Sequence, residues 1–154
     1  MLVKTYGCAV YGINAIIITI EVSSSEGFNF FLVGLPDNAV KESQQRIEAA
    51  LRNNGYKMPG KKLIINMAPA DIRKEGSAYD LPLATAILAI EGIINPEKLK
   101  DYVIMGELSL DGTIQPIKGS LPIAIEAKKN EFKGIILPLQ NAHEAAVVDN
   151  LEVY

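Results

Sequence analysis

The segment Gly55–Lys62 is the first place where residue types and spacing suggest chemistry. Its sequence, Gly-Tyr-Lys-Met-Pro-Gly-Lys-Lys, nearly matches the phosphate-binding pattern GxxxxGK[ST] of a P-loop. A P-loop binds phosphate because a glycine-rich turn follows a strand and opens a helix whose N–H groups face the ligand. Here the predicted helix precedes the turn, and Lys62 replaces the hydroxyl residue that binds Mg²⁺. We therefore interpret the segment as a helix cap and a turn.

The sequence has few residues suited to metal or histidine-dependent chemistry. It contains one histidine, His143, and one cysteine, Cys8. A tetrahedral metal site needs several such ligands, and a serine nucleophile of the common hydrolase type needs a Gly-x-Ser-x-Gly turn, which is absent from this sequence. We predict no metal site and a surface position for His143 on a helix. A single cysteine cannot form an internal disulfide, which fits a reducing compartment.

Two longer segments place polar residues next to predicted elements. In Ala68–Ala86 a charged loop leads into an apolar helix, and in Gly106–Gly119 a Gly-Glu pair is followed by the Asp-Gly turn of a hairpin. Together they resemble the proteolytic domain of Lon, in which a serine starts the buried helix and a lysine follows the hairpin. In such a dyad a lysine that is desolvated near the serine loses its proton and activates the hydroxyl.

The Lon resemblance implies that both catalytic positions are apolar in this chain. Ala78 occupies the nucleophile position, with Ser77 one residue earlier, and Leu121 occupies the lysine position, with Lys118 three residues earlier. We therefore predict that this domain has no catalytic residues and that Ser77 and Lys118 form no dyad. An active Ser–Lys hydrolase that uses those two residues is the alternative from another functional class.

Basic residues flank the short apolar segment Leu63–Asn66. If they share one face, they form a patch able to contact phosphates without reading base sequence. The competing structural interpretation is that Asp71 and Asp80 cap turns and the start of a helix, and that Arg73 forms a salt bridge. The candidate contacts with DNA or a partner are Lys57, Lys61, Lys62, Arg73 and Lys74.

Strand patterns dominate the first part of the chain and helix patterns follow. Three strands, Val3–Tyr11, Ala15–Val22 and Phe28–Val33, are predicted as a meander. The later predicted strands are Leu63–Asn66, Tyr102–Leu110 and Thr113–Pro116 around the Asp111-Gly112 turn, Gly134–Leu137 and Leu151–Val153. The predicted helices are Asp37–Asn54, Asp80–Ile90, which is apolar nearly all round, Leu121–Lys129 and Asn141–Val148. This order predicts an α/β fold of the α+β type: a two-layer sandwich of a mixed sheet with helices on one face.

Length and composition indicate a globular domain. The 154 residues are 49% hydrophobic, which excludes disorder as the main state, and no apolar run is long enough to span a bilayer. The N-terminus does not resemble a signal peptide, so we expect a cytoplasmic protein. The net charge of −3 divides into +2 for residues 1–77 and −5 for residues 78–154, so a basic face is expected only in the first half.

Several further motifs resemble one family. They are Phe31–Pro36, Glu42-Ser43, Asn54-Gly55, Met58-Pro59, Asn66–Asp71 and Gly76–Leu83, in that order. They resemble the opening of the ComM/YifB family of ring-forming AAA+ ATPases, which are related to magnesium chelatase. The resemblance implies a Lon-like domain with the fold of ribosomal protein S5 domain 2, placed before an ATPase module.

The family resemblance defines the functional expectations. We expect residues 1–154 to form a single Lon-like domain, part of a longer AAA+ protein. ComM is a hexameric helicase that drives branch migration during natural transformation, so the resemblance implies a homo-oligomeric ring, with ATP and Mg²⁺ bound only by the downstream module. We expect no cofactor in this domain, and a role in ring assembly, in DNA contact, or in both. The alternatives are a protein-interaction domain without DNA binding and the Ser–Lys protease.

Overall fold

A computed structural model describes all residues, Met1–Tyr154. The chain begins with a long hairpin in which β1 (Leu2–Tyr11) pairs antiparallel with β2 (Asn14–Ser25) from Leu2↔Ser23 to Tyr11↔Asn14. These strands are rich in β-branched and aromatic residues, which pack well on a pleated surface. Gly12 occupies the two-residue turn with a φ of 62°, a left-handed conformation that glycine adopts without steric cost.

The remaining elements follow in short segments. They are β3 (Phe30–Val33), α1 (Asn38–Lys41), α2 (Ser43–Asn53), β4 (Lys62–Ala68), α3 (Asp80–Ile90), α4 (Pro96–Leu99), β5 (Tyr102–Ile104), β6 (Glu107–Leu108), β7 (Ile114–Gln115), α5 (Ser120–Lys129), β8 (Gly134–Ile136), α6 (Ala142–Ala145) and β9 (Glu152–Val153). Seven strands form one mixed sheet in the order β3-β4-β2-β1-β5-β8-β9, and β6 and β7 form a separate hairpin. The predicted α/β fold with a mixed sheet is confirmed.

The predicted three-strand meander is wrong in its last strand. β3 does not pair with β2, because β4 inserts between them and pairs parallel with β3 and antiparallel with β2. β4 buries Leu63, Ile65 and Met67 on one side, as expected of a central strand. Adjacency along the sequence favours a meander, but only the tertiary structure shows that a later strand occupies the inner position.

The helices match the predicted ones in place but differ in their ends. The predicted Asp37–Asn54 helix is broken at Glu42 into α1 and α2, and Asp37 caps the first of them through a bond from the Val40 N–H to its Oδ1 at 2.8 Å. The α3 boundaries, Asp80–Ile90, match the prediction. α6 is shorter than predicted, and α4 was not predicted.

The two sides of β1 are covered by different helices. The Thr5 hydroxyl donates to the Pro82 carbonyl oxygen, so this side of β1 faces α3, which in turn contacts α2. Residues of opposite parity in a strand point to the other side. On that other side, a Cβ added to Gly119 would lie 2.8 Å from Cγ1 of Val10, and α5 packs across β1 and β2. Helices were predicted on one face of the sheet; α2 and α3 lie together on one side, whereas α5 lies on the other.

Candidate functional site

A cavity opens where β1 and β5 separate. The two strands are paired only at Tyr6↔Val103, and beyond this bridge a cavity of about 580 Å³ lies between the segment before α3 and the Gly119 start of α5. In open α/β sheets, ligands bind in crevices outside the carboxyl ends of strands, where the following connections pass to opposite sides. Its walls are formed by Cys8, Val10, Gly12, Glu75–Tyr79, Met105, Glu107, Pro116–Gly119 and Ile123.

Both residues of the alternative dyad line this cavity, but Ser77 has another partner. The Ser77 hydroxyl donates a short hydrogen bond to Oε1 of Glu107, at the start of the β6–β7 hairpin. Lys118 lies on the opposite loop and is exposed. The Ser77 hydroxyl hydrogen therefore points to a carboxylate, whereas a Ser–Lys mechanism requires a neutral amine as its partner.

The two positions that the Lon resemblance assigns to catalysis lie in different surroundings. Ala78 lines the cavity, and its carbonyl oxygen accepts the Gly106 N–H at 2.8 Å. Leu121 is not part of the cavity wall, and its N–H donates to Glu144 at 3.2 Å. The methyl group of Ala78 is therefore what the cavity presents at the nucleophile position.

A buried ion pair fixes the start of α3 beside the cavity. The Arg46 guanidinium on α2 donates to both carboxylate oxygens of Asp80, at 2.7 Å from Nε and 2.9 Å from Nη2, and the Leu108 N–H donates to the same carboxylate at 3.1 Å. Burial raises the pKa of Asp80, against the opposing effect of the Arg46 hydrogen bond. The interpretation of Asp80 as a helix cap is wrong, because Tyr79 is the cap residue and the carboxylate points to α2 and β6.

Two ionisable groups in the cavity wall are held neutral. Burial is the main cause of a raised pKa of about 12 for the Cys8 thiol, and the Glu126 carboxylate acts in the same direction. Burial likewise raises the pKa of the Tyr79 phenol. Thiolates rather than thiols are nucleophilic, so Cys8 has no activated sulfur near neutral pH.

Lys74 does not belong to a basic surface patch, which corrects the sequence prediction. Its side chain is completely buried, and Nζ donates to the carbonyl oxygens of Gly34, at 2.7 Å, and of Pro69. Desolvation lowers the pKa of this ammonium. Its role is to connect the loop before α3 to the loop after β3, since the backbones of the two loops also bond between Lys74 and both Leu35 and Asp37.

The other basic candidates separate into two places. Lys61 and Lys62 lie at the start of β4, with Lys62 Nζ 5.6 Å from the centre of the Phe31 ring, and Lys57 lies in the loop that precedes them. Arg73 follows the other end of β4, which is about 20 Å away for a seven-residue strand. Arg73 forms an exposed salt bridge with Glu75 at 3.5 Å, as the structural interpretation predicted.

The remaining sequence candidates also have defined places. Gly55–Lys62 connects α2 to β4 and opens no helix, so the P-loop geometry is absent. His143 is exposed on α6, as predicted. Sequence reasoning missed Glu107 and Arg46, although the Gly-Glu pair before the hairpin was noted, because their partners are 30 and 34 residues away in the chain.

Comparison with known proteins identifies the family. Residues 20–141 match the family model described as subunit ChlI of Mg-chelatase. The chain belongs to the ChlI family. It is 40% identical over 150 residues to competence protein ComM of Haemophilus influenzae, and 42% identical over 142 residues to YifB of Escherichia coli. The predicted membership of the ComM/YifB family, related to magnesium chelatase, is confirmed.

The matches to this ChlI-family chain differ in coverage. The ComM and YifB alignments include 97% and 92% of the chain but only 29% and 28% of those proteins, so the chain spans less than a third of their length. A weaker match, 27% identical over 136 residues, covers 83% of the chain and 17% of the Lon protease of Mycoplasma mycoides. No helix of the structure has the length and apolar character needed to cross a membrane.

Proposed function

We propose that this ChlI-family domain is a non-catalytic module of a ring-forming, ComM-like AAA+ ATPase that acts in the cytoplasm. The observation that supports this most strongly is the cavity wall. It has Ala78 at the nucleophile position, and the neighbouring Ser77 is bonded to Glu107. In this proposal the domain serves ring assembly, DNA contact, or both, and ATP and Mg²⁺ bind elsewhere in the full-length protein.

The absence of hydrolysis is tested with an unstructured substrate. We expect no cleavage of casein by the chain, and no difference between the chain and its Ser77→Ala and Lys118→Met variants. Cleavage that disappears in both variants would instead establish the Ser–Lys alternative. A heat-inactivated sample of the same preparation controls for contaminating proteases.

DNA contact is proposed for the start of β4, where Lys57, Lys61 and Lys62 lie close in the chain. With three phosphate contacts, the slope of log affinity against log salt on duplex DNA is expected near −3. The net charge of −3 opposes this binding, so the monomer binds weakly. Display of several copies on one scaffold raises the apparent affinity, because later contacts become intramolecular.

The matched test compares two double variants in the displayed form. Lys61→Glu/Lys62→Glu changes the proposed contact, and Lys129→Glu/Lys133→Glu makes the same charge change near β8, four strand positions from β4. We expect the first pair to abolish binding and the second to retain most of it. Equal loss in both variants, or no binding by the unmodified chain at low salt, would favour the protein-interaction alternative.

A further inference from the structure

The edge of β1 that faces the cavity lacks a strand partner. β1 pairs with β2 along its whole length, from Leu2 to Tyr11, but its pairing with β5 consists of the single bridge Tyr6↔Val103. β5 ends at Ile104, and the following Met105 N–H bonds to Ile136 on β8. The residues of β1 after Tyr6 therefore have one paired edge and one edge that faces the cavity.

The backbone groups on that free edge can be identified. In an antiparallel pair, hydrogen-bonded and outward-facing residues alternate along each strand. The Cys8 N–H points outward, because it donates to the thioether sulfur of Met105 at 3.4 Å rather than to a carbonyl oxygen. Val10, two residues later, presents its N–H and C=O on the same edge, and both residues line the cavity.

The cavity has the size and walls for side chains next to this edge. Its volume of about 580 Å³ accommodates more than one side chain of a bound segment, and Val10, Met105, Ile117 and Ile123 provide apolar surface. A thioether is a weak acceptor, so the present partner of the Cys8 N–H is poorer than a peptide carbonyl.

From this geometry we propose that the cavity binds an extended peptide segment, which adds as a strand to the free edge of β1 at Val10. Main-chain hydrogen bonds to Val10 provide the affinity, and an apolar side chain of the segment occupies the cavity between α3 and α5. Such strand addition is a general mode of peptide recognition at exposed sheet edges. This proposal does not depend on DNA contact, which is proposed for the start of β4.

The test uses the peptide acetyl-Lys-Leu-Ala-Leu-Ala-amide as the probe. A second peptide with the same side chains but N-methyl groups on alternate amides cannot donate the main-chain bonds. We expect saturable shifts of the Val10 and Gly12 amide signals in NMR spectra with the first peptide. We expect about tenfold weaker binding with the second, since the bond that the peptide donates to the Val10 carbonyl oxygen is lost. Equal binding of the two peptides, no binding at millimolar concentration, or shifts confined to another surface would overturn the proposal.

A variant pair gives a second readout on the protein. Val10→Pro removes the outward N–H in the cavity, and Leu2→Pro removes an outward N–H on the same edge of β1 but outside the cavity. We expect Val10→Pro to lose the probe and Leu2→Pro to retain it, with circular dichroism confirming the fold of each. If Val10→Pro does not fold, the comparison of the two peptides decides alone. Retained binding in a folded Val10→Pro variant contradicts the proposal.

Discussion

Removal of the Asp80 carboxylate is expected to be among the most destabilising single changes in this domain. Asp80 is fully buried, whereas the Arg46 side chain is 19% exposed, so Asp80→Ala leaves a mostly buried guanidinium whose only remaining charge partner is the exposed Glu42 carboxylate at 3.6 Å. Breaking a buried ion pair costs about 3–5 kcal/mol. Because Arg46 has some access to water, we take the lower value of about 3 kcal/mol. The Leu108 N–H also loses its acceptor, which adds about 1 kcal/mol.

The resulting expectation for Asp80→Ala is a fall of about 4 kcal/mol in the free energy of unfolding. Asp80→Asn keeps an acceptor for Leu108 and is expected to cost about 3 kcal/mol. Urea unfolding followed by circular dichroism is the suitable assay, since the chain contains no tryptophan. The double variant Asp80→Leu/Arg46→Met replaces the pair with apolar side chains and should be more stable than Asp80→Ala.

The outcome that refutes this reasoning is specific. If Asp80→Ala lowers the free energy of unfolding by less than about 1 kcal/mol, the ion pair contributes little to stability. The start of α3 is then held by the burial of its side chains alone. The same conclusion follows if the costs of Asp80→Ala and Arg46→Ala add in the double variant. Residues in one hydrogen-bonded network are expected to show a coupling energy of 0.5–3 kcal/mol, roughly.

Three further changes test other parts of the structure. Gly34→Ala places a Cβ 2.2 Å from the Met67 carbonyl oxygen at a φ of 104°, so we expect little folded protein by circular dichroism. Gly55→Ala is the control, because no atom lies within 4 Å of the added Cβ, and we expect it to fold. Lys74→Met fills the same space but removes the ammonium donor from the Gly34 carbonyl oxygen and leaves that of Pro69 with only the Ile72 N–H at 3.4 Å, and thermal unfolding should show a loss of about 2 kcal/mol. The pKa of the Cys8 thiol is 9.0 in the unfolded chain and about 12 in the folded chain. The unfolded state therefore loses this proton at a lower pH than the folded state, and stability falls as the pH rises above 9. Between pH 7.5 and 10 the unmodified chain should lose about 1.4 kcal/mol more than Cys8→Ala, and equal losses would contradict the burial of the thiol.

Local sequence patterns predicted most elements but not their neighbours in space. The Asp111-Gly112 turn correctly indicated a hairpin, since β6 and β7 pair at Leu108↔Ile114. The predicted strand Tyr102–Leu110 is instead divided into β5 and β6, because the Gly106 N–H bonds to the Ala78 carbonyl oxygen and the chain leaves the sheet there. The position of β4 between β3 and β2 likewise depends on contacts between distant segments.

The same limit applies to the candidate site. The Lon-like motifs assigned Ala78 to the nucleophile position, and the structure shows that this residue lines the cavity. Charge alone could not show that Lys74 is buried, since its two acceptors are backbone carbonyl oxygens that any sequence provides. Nor could residue types show the free edge at Val10, which exists because β5 is only three residues long.

Backbone hydrogen bonds connect the segment around the start of α3 to the segment before β6. They maintain the fold here without the side chains that line the cavity. The Gly106 N–H donates to the Ala78 carbonyl oxygen, and the Leu81 N–H donates to the Gly106 carbonyl oxygen, at 2.8 and 3.0 Å. Both bonds use only backbone atoms, so the position of residue 78 is independent of its side chain. A serine at that position would stand in the same place on the same scaffold. In such an architecture the backbone alone shapes this wall of the cavity, and the side chain at position 78 can change without a change in the cavity's frame.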